Sequence, residues 1–414
     1  MSLIVQKFGG TSLADATAMR LCARRVADAR AIGASVVVVV SAMGRATDDL
    51  LALADEAHPE PPRRDLDLLL ATGEQASAAL MSMTLQTLGI RAVACAGLGV
   101  GLATTDRHTR ATIDSIDTDR LRARLDDGAV VVVAGFQGVS PVGDITTLGR
   151  GGSDLTAVAL AASLNADRCE IYTDVAGVYT ADTRIVPDAR RLDRLSYDQM
   201  LELAEGGARV LHPRAALCAK TYSVPVRIAH AHADGPGTLI TLESRDMESI
   251  VVSGCALKPD IARITLAGAP NSPGSPSALF ERLAEADVFV DDIIQAEADA
   301  NTTTIAVTTH AGEAPDARRA AEFAAADLGR GAVTVETGLA SVSVVGLGMR
   351  THTGVASTLF RALADASINV RNVTTSEIRI SCIIDAHDGP RALHAAHAAF
   401  GLARGASVEP VAPV

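Results

Sequence analysis

Positive charge is scarce in this sequence. Its 414 residues include 37 lysines and arginines against 49 aspartates and glutamates, which gives a formal net charge of −12. Proteins that bind nucleic acid need a basic surface to meet the phosphate backbone, and no part of this chain supplies one. The composition therefore argues against nucleic acid as a partner and favours small molecules or other proteins.

Long apolar runs and paired cysteine motifs are also missing. The longest apolar runs, such as 36–40 and 129–134, cover five or six residues, whereas a membrane helix needs about 20. The six cysteines lie far apart, with no Cys-x-x-Cys pair and no secretory leader before them. These features predict a cytoplasmic protein with reduced, buried cysteines and no membrane association.

The first half of the chain alternates short valine-rich runs with amphipathic stretches. The runs predicted as strands are 3–6, 35–40, 91–96, 129–134 and 168–172. This alternation is typical of an α/β domain whose mostly parallel sheet is buried on both faces. Ligands of such domains collect at the carboxyl ends of the strands, where this sequence places polar residues such as Lys7, Ser41 and Thr173.

The second half contains a repeat. After a linker at 235–246, the segment LFERLAEADVFV (279–290) recurs as LFRALADASINV (359–370), and Gly274 and Gly354 precede the two copies at the same offset. Each copy indicates a strand, a glycine turn, a helix and a further strand. The pattern therefore predicts a small βαββ-type module that occurs twice.

Two glycine-rich segments are suited to anions. In VQKFGGTS (5–12), Lys7 ends a predicted strand and is followed by two glycines that allow backbone amides to approach a polyphosphate. In TTLGRGGSD (146–154), three glycines, Arg150 and Asp154 stand at the start of a predicted helix, whose positive end favours an anion. Asp154 could alternatively be a simple N-cap, although an N-cap requires neither the arginine nor the glycines.

Taken in order, these motifs resemble those of the aspartate kinases in the amino acid kinase family. The shared segments are KFGGTS, VVVVVSAMG, ATGE, VVVAGFQGVS, TTLGRGGSD, EIYTDVAGVYTAD, ARVLHP and TSEIRIS. The resemblance implies an α/β fold: a three-layer αβα sandwich kinase domain with a mostly parallel sheet, followed by two ACT modules of βαββ type. It places the kinase domain at 1–245, the first ACT module at 246–338 and the second at 339–414, and the opening strand at about 250–262 could join the second module.

The resemblance also implies a reaction. Aspartate kinases transfer the γ-phosphoryl group of ATP to the β-carboxylate of L-aspartate, the first step toward lysine, threonine and methionine. Because both reactants are anions and a carboxylate needs no general base, such a site supplies positive charge and in-line positioning. ATP would bring Mg²⁺ held largely by its phosphates, since the sequence shows no carboxylate cluster at metal-ligand spacing and no protein metal site is expected.

The same resemblance implies the site residues. Lys7 would contact the transferring phosphoryl group, and Asp154 would organise the cationic groups around it. Arg150 would bind the α-carboxylate of aspartate and Glu74 its amino group. The other expected contacts are Ser41, Thr47, Gly151, Gly152 and Ser153 for the acceptor, and Phe8, the amides of Gly9 and Gly10, Thr173, Asp174, Tyr179, Arg184 and Arg209 for ATP.

Paired ACT modules imply regulation by end-product amino acids such as lysine or threonine. They also imply a homo-oligomer or assembly with an ACT-only subunit. The expected effector-binding residues are Asn271, Asp291, Gln295, Asn369, Val370, Ser376 and Glu377. Two positions depart from the family pattern, because Asn271 stands in place of an aspartate and Ala296 in place of an asparagine.

Departures in the kinase domain leave alternatives open. They are Arg209 for a lysine, DTR (182–184) for Asp-Pro-Arg, GLGVGLATTD (97–106) for a Ser-Gln-Ala-Gly stretch, and RIAHAHADG (227–235) for a serine-containing segment. The change at 97–106 is compatible with a pathway-specialised aspartate kinase or a kinase of a related amino acid. A catalytically weak, ligand-sensing ACT partner is a third alternative, against which the presence of Lys7, Glu74, Arg150 and Asp154 argues.

Overall fold

The computed structural model describes residues 2–242, 252–347, 349 and 354–403. Within these residues the chain divides into two compact units. The first contains residues up to 179 together with 191–204 and 209–242, and the second contains 180–190, 205–208 and the described residues from 252 onward. The predicted boundary at 245/246, the first residues of the predicted strand at 250–262 and the end of the second module beyond 403 lie outside the described residues.

An eight-stranded sheet forms the centre of the first unit. The strands of this unit are β1 (Leu3–Phe8), β2 (Ser35–Val40), β3 (Ala92–Cys95), β4 (Leu102–Thr104), β5 (Ile113–Ile116), β6 (Val130–Ala134), β7 (Gln137–Val139), β8 (Ile145–Thr147), β9 (Arg168–Thr173), β10 (Arg194–Ser196), β11 (Val226–His230) and β12 (Thr238–Thr241). The main sheet has the order β10-β12-β11-β9-β1-β2-β6-β3, and β5-β4-β7-β8 form a smaller sheet. Neighbours in the main sheet are parallel except for β11 and β12. The five strands predicted from valine-rich runs are all present.

Helices cover both faces of the main sheet. They are α1 (Ala16–Ala31), α2 (Ala46–Ala57), α3 (Arg63–Thr87), α4 (Asp119–Asp126), α5 (Gly152–Leu164), α6 (Tyr197–Glu205) and α7 (Pro213–Thr221). Phe8 and Val38 share a buried cluster with Met19 of α1 and Met81 of α3, and α5 packs against β1, β2 and β9. Because both faces are buried, a strand such as β2 is continuously apolar rather than alternating. The predicted αβα sandwich is confirmed.

The second unit contains a six-stranded antiparallel sheet. Its elements are β13 (Gly254–Pro270), α8 (Ser275–Glu285), β14 (Ile293–Asp299), β15 (Thr302–His310), α9 (Ala314–Asp327), β16 (Ala332–Val345), α10 (Gly354–Asp365), β17 (Asn372–Thr375), β18 (Arg379–Asp385) and α11 (Gly389–Ala399). The strand order is β14-β15-β13-β16-β18-β17. The long β13 pairs with β15 through its second half and with β16 along most of its length.

The repeat seen in the sequence recurs in this second unit. Gly274 caps α8 in a left-handed conformation, with φ of 100°, and Gly354 is the first residue of α10. Each helix leads into an antiparallel pair, β14 with β15 and β17 with β18. The predicted pair of βαββ-type modules is therefore confirmed.

Among the described residues, no helix is both long enough and apolar enough to cross a membrane. All six cysteines are free thiols, and five of them are buried.

Candidate active site

Three neighbouring strands of the first unit end at the same edge of the main sheet. β1 lies between β9 and β2 and is parallel to both, so the carboxyl ends of the three strands meet there. Lys7 lies near the end of β1, Ser41 follows β2, and Thr173 ends β9. The half-buried Ser41 donates its backbone N–H to the carbonyl oxygen of Phe8 at 3.2 Å, which fixes two of these ends together. This is the edge at which the sequence predicts a ligand.

Lys7 and Asp154 form an ion pair at this edge. The Nζ atom of Lys7 lies 2.6 Å from Oδ1 of Asp154, and the two side chains are 12% and 13% exposed. Asp154 is the third residue of α5, so the alternative that it is the N-cap is wrong: the N-cap is Gly151. The second carboxylate oxygen accepts the backbone N–H of His212 at 3.4 Å. Partial burial strengthens this pair relative to a surface ion pair.

The start of α5 requires glycine for steric reasons. Gly151 has φ of 72°, and a Cβ atom at this position would lie 2.2 Å from the ring of His212. At Gly152 a Cβ would lie 2.9 Å from atoms of both Leu148 and Phe136. The N–H of Gly152 donates to the carbonyl oxygen of Gly149 at 2.9 Å, so this amide is already used within the loop. The glycines therefore allow the first turn of α5 to pack closely against its neighbours.

Glu74 is, after Asp154, the second carboxylate among the predicted catalytic and acceptor-binding residues, and its side chain is buried. It lies on α3 and is 4% exposed. Its Oε1 accepts the backbone N–H of Ala42 at 3.0 Å, while Oε2 has no hydrogen-bond partner among the described residues. Burial raises the pKa of Glu74 to about 7, although the Ala42 N–H and the Lys7 ammonium favour the ionised form. A buried oxygen without a partner is suited to bind a cation such as an ammonium group.

The turn after β1 is tightly packed. A Cβ on Gly10 would lie 2.6 Å from the carbonyl oxygen of Ala42, so only glycine fits without a shift. The N–H of Gly9 donates to the carbonyl oxygen of Tyr172 at 3.2 Å, and it is therefore engaged in the structure rather than pointing to a ligand. The ring of Phe8 is fully buried and stacks on Tyr172 with 5.0 Å between centroids. Its side chain belongs to the core, so a ligand could contact only its backbone.

The remaining predicted acceptor residues lie at the starts of two helices of the first unit, α2 and α5. Thr47 lies in the first turn of α2 and is half-buried. Ser153 is buried, and a Cβ on Gly135 would lie 2.9 Å from its side chain. Arg150 is exposed and directly precedes the N-cap of α5. An exposed guanidinium beside a helix N-terminus is available to a carboxylate.

The predicted nucleotide residues are divided between the two units. Thr173 donates its hydroxyl to Asp174 at 3.0 Å, and Tyr179 pairs through its backbone with Arg191. Arg209 belongs to the first unit and is exposed. Arg184 belongs to the second unit, where it pairs with Asp182 at 2.6 Å. The structure therefore does not group Arg184 with the first-unit residues of the predicted ATP site.

The predicted effector residues all lie in the second unit, in two sets. In the first set, Asn271 directly follows β13, Asp291 lies just before β14 and Gln295 belongs to β14. The second set flanks β17 and consists of Asn369, Val370, Ser376 and Glu377. Asp291 pairs with Lys258 at 2.5 Å. The neighbouring Asp292 has its pKa raised by burial, whereas Arg379 of β18 and Thr374 of β17 favour its ionised form.

His212 is a residue of the site that the sequence argument did not single out. Its backbone N–H binds Asp154, its ring packs against Gly151, and its Nδ1 accepts the N–H of Arg214 as the N-cap of α7. Burial lowers the pKa of the ring, which favours the neutral form. The signal was present in the motif LHP, because proline directly after it is typical of the first position of a helix.

One group of three potential metal ligands occurs among the described residues, and it lies far along the chain from the kinase motifs. Asp385, His387 and Asp388 belong to the second unit. Asp385 pairs with Arg371 at 2.8 Å and Asp388 with Arg391 at 2.6 Å. These arginines already neutralise the two carboxylates, so the group gives no reason to expect an ion.

Comparison with known proteins identifies the family of the chain. Residues 2–230 match the model of the amino acid kinase family, and residues 342–400 match an ACT domain model. The aspartokinase of Pseudomonas aeruginosa is 47% identical over 404 residues, which cover 97% of this chain and 98% of that protein. Escherichia coli aspartokinase III in complex with aspartate and ADP is similar in structure, with a TM-score of 0.86, 27% identity and coverage of 96% of this chain and 100% of that one. The same enzyme in complex with lysine and aspartate gives a TM-score of 0.68 at 27% identity, with coverage of 96% and 99%. The chain therefore belongs to the aspartate kinases, a group within the amino acid kinase family that carries C-terminal ACT domains.

Proposed function

We propose that this chain is an ATP-dependent kinase that transfers the γ-phosphoryl group to the β-carboxylate of L-aspartate and forms 4-phospho-L-aspartate. The observation that carries the proposal is the ion pair between Lys7 and Asp154 at the carboxyl edge of the sheet. The buried Glu74, with one oxygen lacking a partner among the described residues, adds a site for the ammonium group of the acceptor. Similarity to aspartokinase III, whose structure holds aspartate and ADP, supports both substrates.

Lys7 and Asp154 have different roles at the transferring phosphoryl group. The ammonium of Lys7 neutralises charge on the transferring group, and the carboxylate of Asp154 fixes the position of that ammonium. The attacking β-carboxylate is already ionised at neutral pH, so no proton has to be removed and the site needs positioning and charge above all. The paired geometry also speaks against the alternative of a catalytically weak sensor.

The acceptor is held by charge of both signs. Arg150 binds the α-carboxylate and Glu74 binds the α-ammonium, and the amides at Gly151, Gly152 and Ser153 add the positive end of α5. Ser41 and Thr47 line the pocket beside them. This arrangement supports aspartate as the acceptor because each charged group of the amino acid meets a partner.

ATP occupies the edge next to the acceptor and brings Mg²⁺ on its phosphates as part of the substrate. The turn at Gly9 and Gly10 approaches the phosphates, and Arg209 supplies the second positive charge that a lysine supplies in the family. Thr173, Asp174 and Tyr179 belong to the nucleotide side. Arg184 is kept in the proposal as an ATP contact on the strength of the family motif alone.

The second unit regulates the first through amino-acid effectors. The predicted effector residues all lie in the second unit, and a related enzyme has been solved with lysine bound. We place the kinase domain at 1–245 and the ACT modules at 246–338 and 339–414, with assembly as a homo-oligomer or with an ACT-only subunit. Use of ATP and six free thiols support a cytoplasmic location.

The test is direct detection of the product. Purified protein is incubated with MgATP and aspartate, the acyl phosphate is trapped with hydroxylamine, and release of ADP is followed in parallel. Hydroxamate should form in step with ADP, and glutamate, succinate or no acceptor should give little. Hydroxamate from another acidic amino acid but not from aspartate would favour the related-substrate alternative, and none from any of them would contradict the proposal.

A further inference from the structure

A fully buried carboxylate lies on the same helix as Glu74. Asp67 belongs to α3, seven residues before Glu74, so the two side chains project from the same side of the helix. Asp67 is 0% exposed. A buried carboxylate is costly unless its oxygens are well hydrogen-bonded. The hydrogen-bond donors to Asp67 therefore indicate the role of this carboxylate.

Both oxygens of Asp67 accept hydrogen bonds from outside α3. The backbone N–H of Thr109 lies 2.9 Å from Oδ2 and 3.1 Å from Oδ1. Nδ1 of His108 donates to Oδ2 at 2.8 Å, and the hydroxyl of Thr147 donates to Oδ1. Asp67 thus joins α3 to two further segments, the loop at 105–110 and the end of β8.

The loop at 105–110 contains a strained residue at this contact. Thr109 has φ of 68°, in the left-handed region that a β-branched residue rarely occupies. Asp67 binds the N–H of this same residue. On its other side, the carbonyl oxygen of Thr109 lies 3.0 Å from where a Cβ on Gly149 would be. The strained residue therefore lies between the Asp67 carboxylate and the glycine-rich loop.

The end of β8 leads directly into that loop. Thr147 is the last residue of β8 and stands three residues before Arg150. Its carbonyl oxygen accepts the N–H of Ala111 at 2.9 Å, and Arg214 donates to the carbonyl oxygen of the next residue, Leu148, at 2.5 Å. The residues just before Arg150, Thr147 and Leu148, are therefore held in place by hydrogen bonds, and Asp67 provides one of them.

From these contacts we propose that Asp67 is a positioning residue for the acceptor amino acid, which sets the distance between Glu74 on α3 and Arg150 on the glycine-rich loop. The inference rests on the proposed function, in which those two residues bind the ammonium and the α-carboxylate. Without Asp67 the two groups lose their common support, so aspartate binds less tightly. Lys7 and Asp154 are held by contacts that do not include Asp67, namely their own ion pair and the bond from the His212 N–H to Asp154. The binding of ATP should therefore be little affected.

The test is a comparison of the two Michaelis constants in Asp67→Asn. The amide keeps the shape of the carboxylate but turns one acceptor into a donor, which then faces Thr109, His108 or Thr147. We expect KM for aspartate to rise about tenfold or more and KM for ATP to change less than about twofold. Thr147→Val, which removes one donor and leaves the carboxylate in place, should shift KM for aspartate in the same direction by about threefold.

Ser77→Ala is the matched control. Ser77 lies on the same helix, is fully buried, and donates its hydroxyl to the Gly73 carbonyl within α3 at 3.1 Å. Its loss should leave both Michaelis constants unchanged. Unchanged KM for aspartate in Asp67→Asn, with only a lower melting temperature, would overturn the inference, and so would equal rises in both constants. If Asp67→Asn does not fold, Thr147→Val decides by the same criterion, whereas a wild-type protein that fails to phosphorylate aspartate refutes the proposed function instead.

Discussion

The ammonium of Lys7 lies 2.6 Å from a carboxylate oxygen of Asp154. Lys7 lies near the end of β1 and Asp154 in the first turn of α5, so the fold brings together two residues that are far apart in the sequence. A lysine held in this way cannot swing into solvent, so its charge is already in place when a phosphoryl group arrives. Preorganisation of this kind lowers a barrier because no reorganisation is needed during the reaction.

The first prediction concerns this pair. Lys7→Ala and Asp154→Ala should each lower kcat by about a hundredfold or more, about 3 kcal/mol, since each removes charge or position needed mainly in the transition state. The measurement is steady-state kinetics at saturating ATP and aspartate, with circular dichroism as the control for folding. Turnover close to that of the unmodified chain in either variant would contradict the assigned roles.

The second prediction uses the raised pKa of Glu74, about 7 in the ligand-free protein. Because the ionised form binds the ammonium of aspartate, kcat/KM for aspartate should fall as the pH drops below about 7. Glu74→Gln should lower kcat/KM at pH 8 and remove this limb of the pH profile. A profile in the glutamine variant that still falls near pH 7 would assign the titration to another group.

The third prediction is that the stability of the folded protein falls as the pH rises, whereas kcat/KM for aspartate rises. The folded protein holds the Glu74 proton up to about pH 7, whereas the unfolded chain releases it near the ordinary glutamate pKa of 4.5. The folded state therefore binds more protons between these values, and stability falls as the pH rises through this window. Glu74→Gln should raise the melting temperature relative to the unmodified chain at pH 8 and change it little at pH 4. Equal shifts at both pH values would show that ionisation of Glu74 is not the cause.

The sequence predicts the secondary-structure elements better than it predicts which residues meet in the site. β2 was predicted residue for residue, because five consecutive valines after a turn can only form a buried strand or a short helix segment, and β-branched residues favour the strand. Lys7 and Asp154 were placed in one site by resemblance, since no local pattern shows that residues so distant in sequence meet. The N-cap of α5 was open to error because a left-handed Gly151 is dictated by the ring of His212, a long-range contact.

Two further features could not be predicted for the same reason. The segment 180–190 carries Arg184 of the kinase motifs, and in the structure it packs with the second unit. There the hydroxyl of Thr180 lies 2.9 Å from Nε2 of His397, and the carbonyl oxygen of Thr180 accepts the N–H of Cys255 at 2.7 Å. Asp67 likewise had no signal, since a single aspartate in a leucine-rich helix is usually a solvated residue. Both depend on pairings that only the folded chain shows.

The next prediction separates the two groups that hold the acceptor. In the proposed site Glu74 binds the ammonium of the acceptor, which succinate lacks, and Arg150 binds its α-carboxylate, which β-alanine lacks. Each should be used at least about a hundredfold less efficiently than aspartate, because a missing group leaves a charge of the site unpaired. The assay is ADP release with each acceptor. Comparable turnover of succinate and aspartate would remove Glu74 from the acceptor site, and comparable turnover of β-alanine would remove Arg150.

Arg209 allows a matched pair of substitutions. It is exposed in the first unit and stands where the family has lysine. Arg209→Ala should raise KM for ATP and slow transfer, whereas Arg209→Lys should retain most of the activity, because an ammonium serves the same purpose in the relatives. KM for aspartate serves as the internal control and should change little in both variants. An unchanged ATP dependence in the alanine variant would place Arg209 outside the site.

The last prediction concerns control by amino acids. Asn271 lies exposed in the turn after β13, where its backbone N–H binds the carbonyl oxygen of Asn301, and Ala296 lies exposed on β14. An aspartate at the first position could pair with the ammonium of an effector, whereas the amide offers only a neutral acceptor, so one charge-assisted contact worth about 1.5 to 3 kcal/mol is lost. An effector shifts an equilibrium only by its differential binding energy. Inhibition by lysine plus threonine should therefore be at least about tenfold weaker in the unmodified chain than in the double variant Asn271→Asp, Ala296→Asn. The measurement is a titration of both amino acids into the kinase assay, with the kinetic constants in the absence of effector as the control. Equally tight inhibition of the two proteins would show that these positions do not determine effector binding.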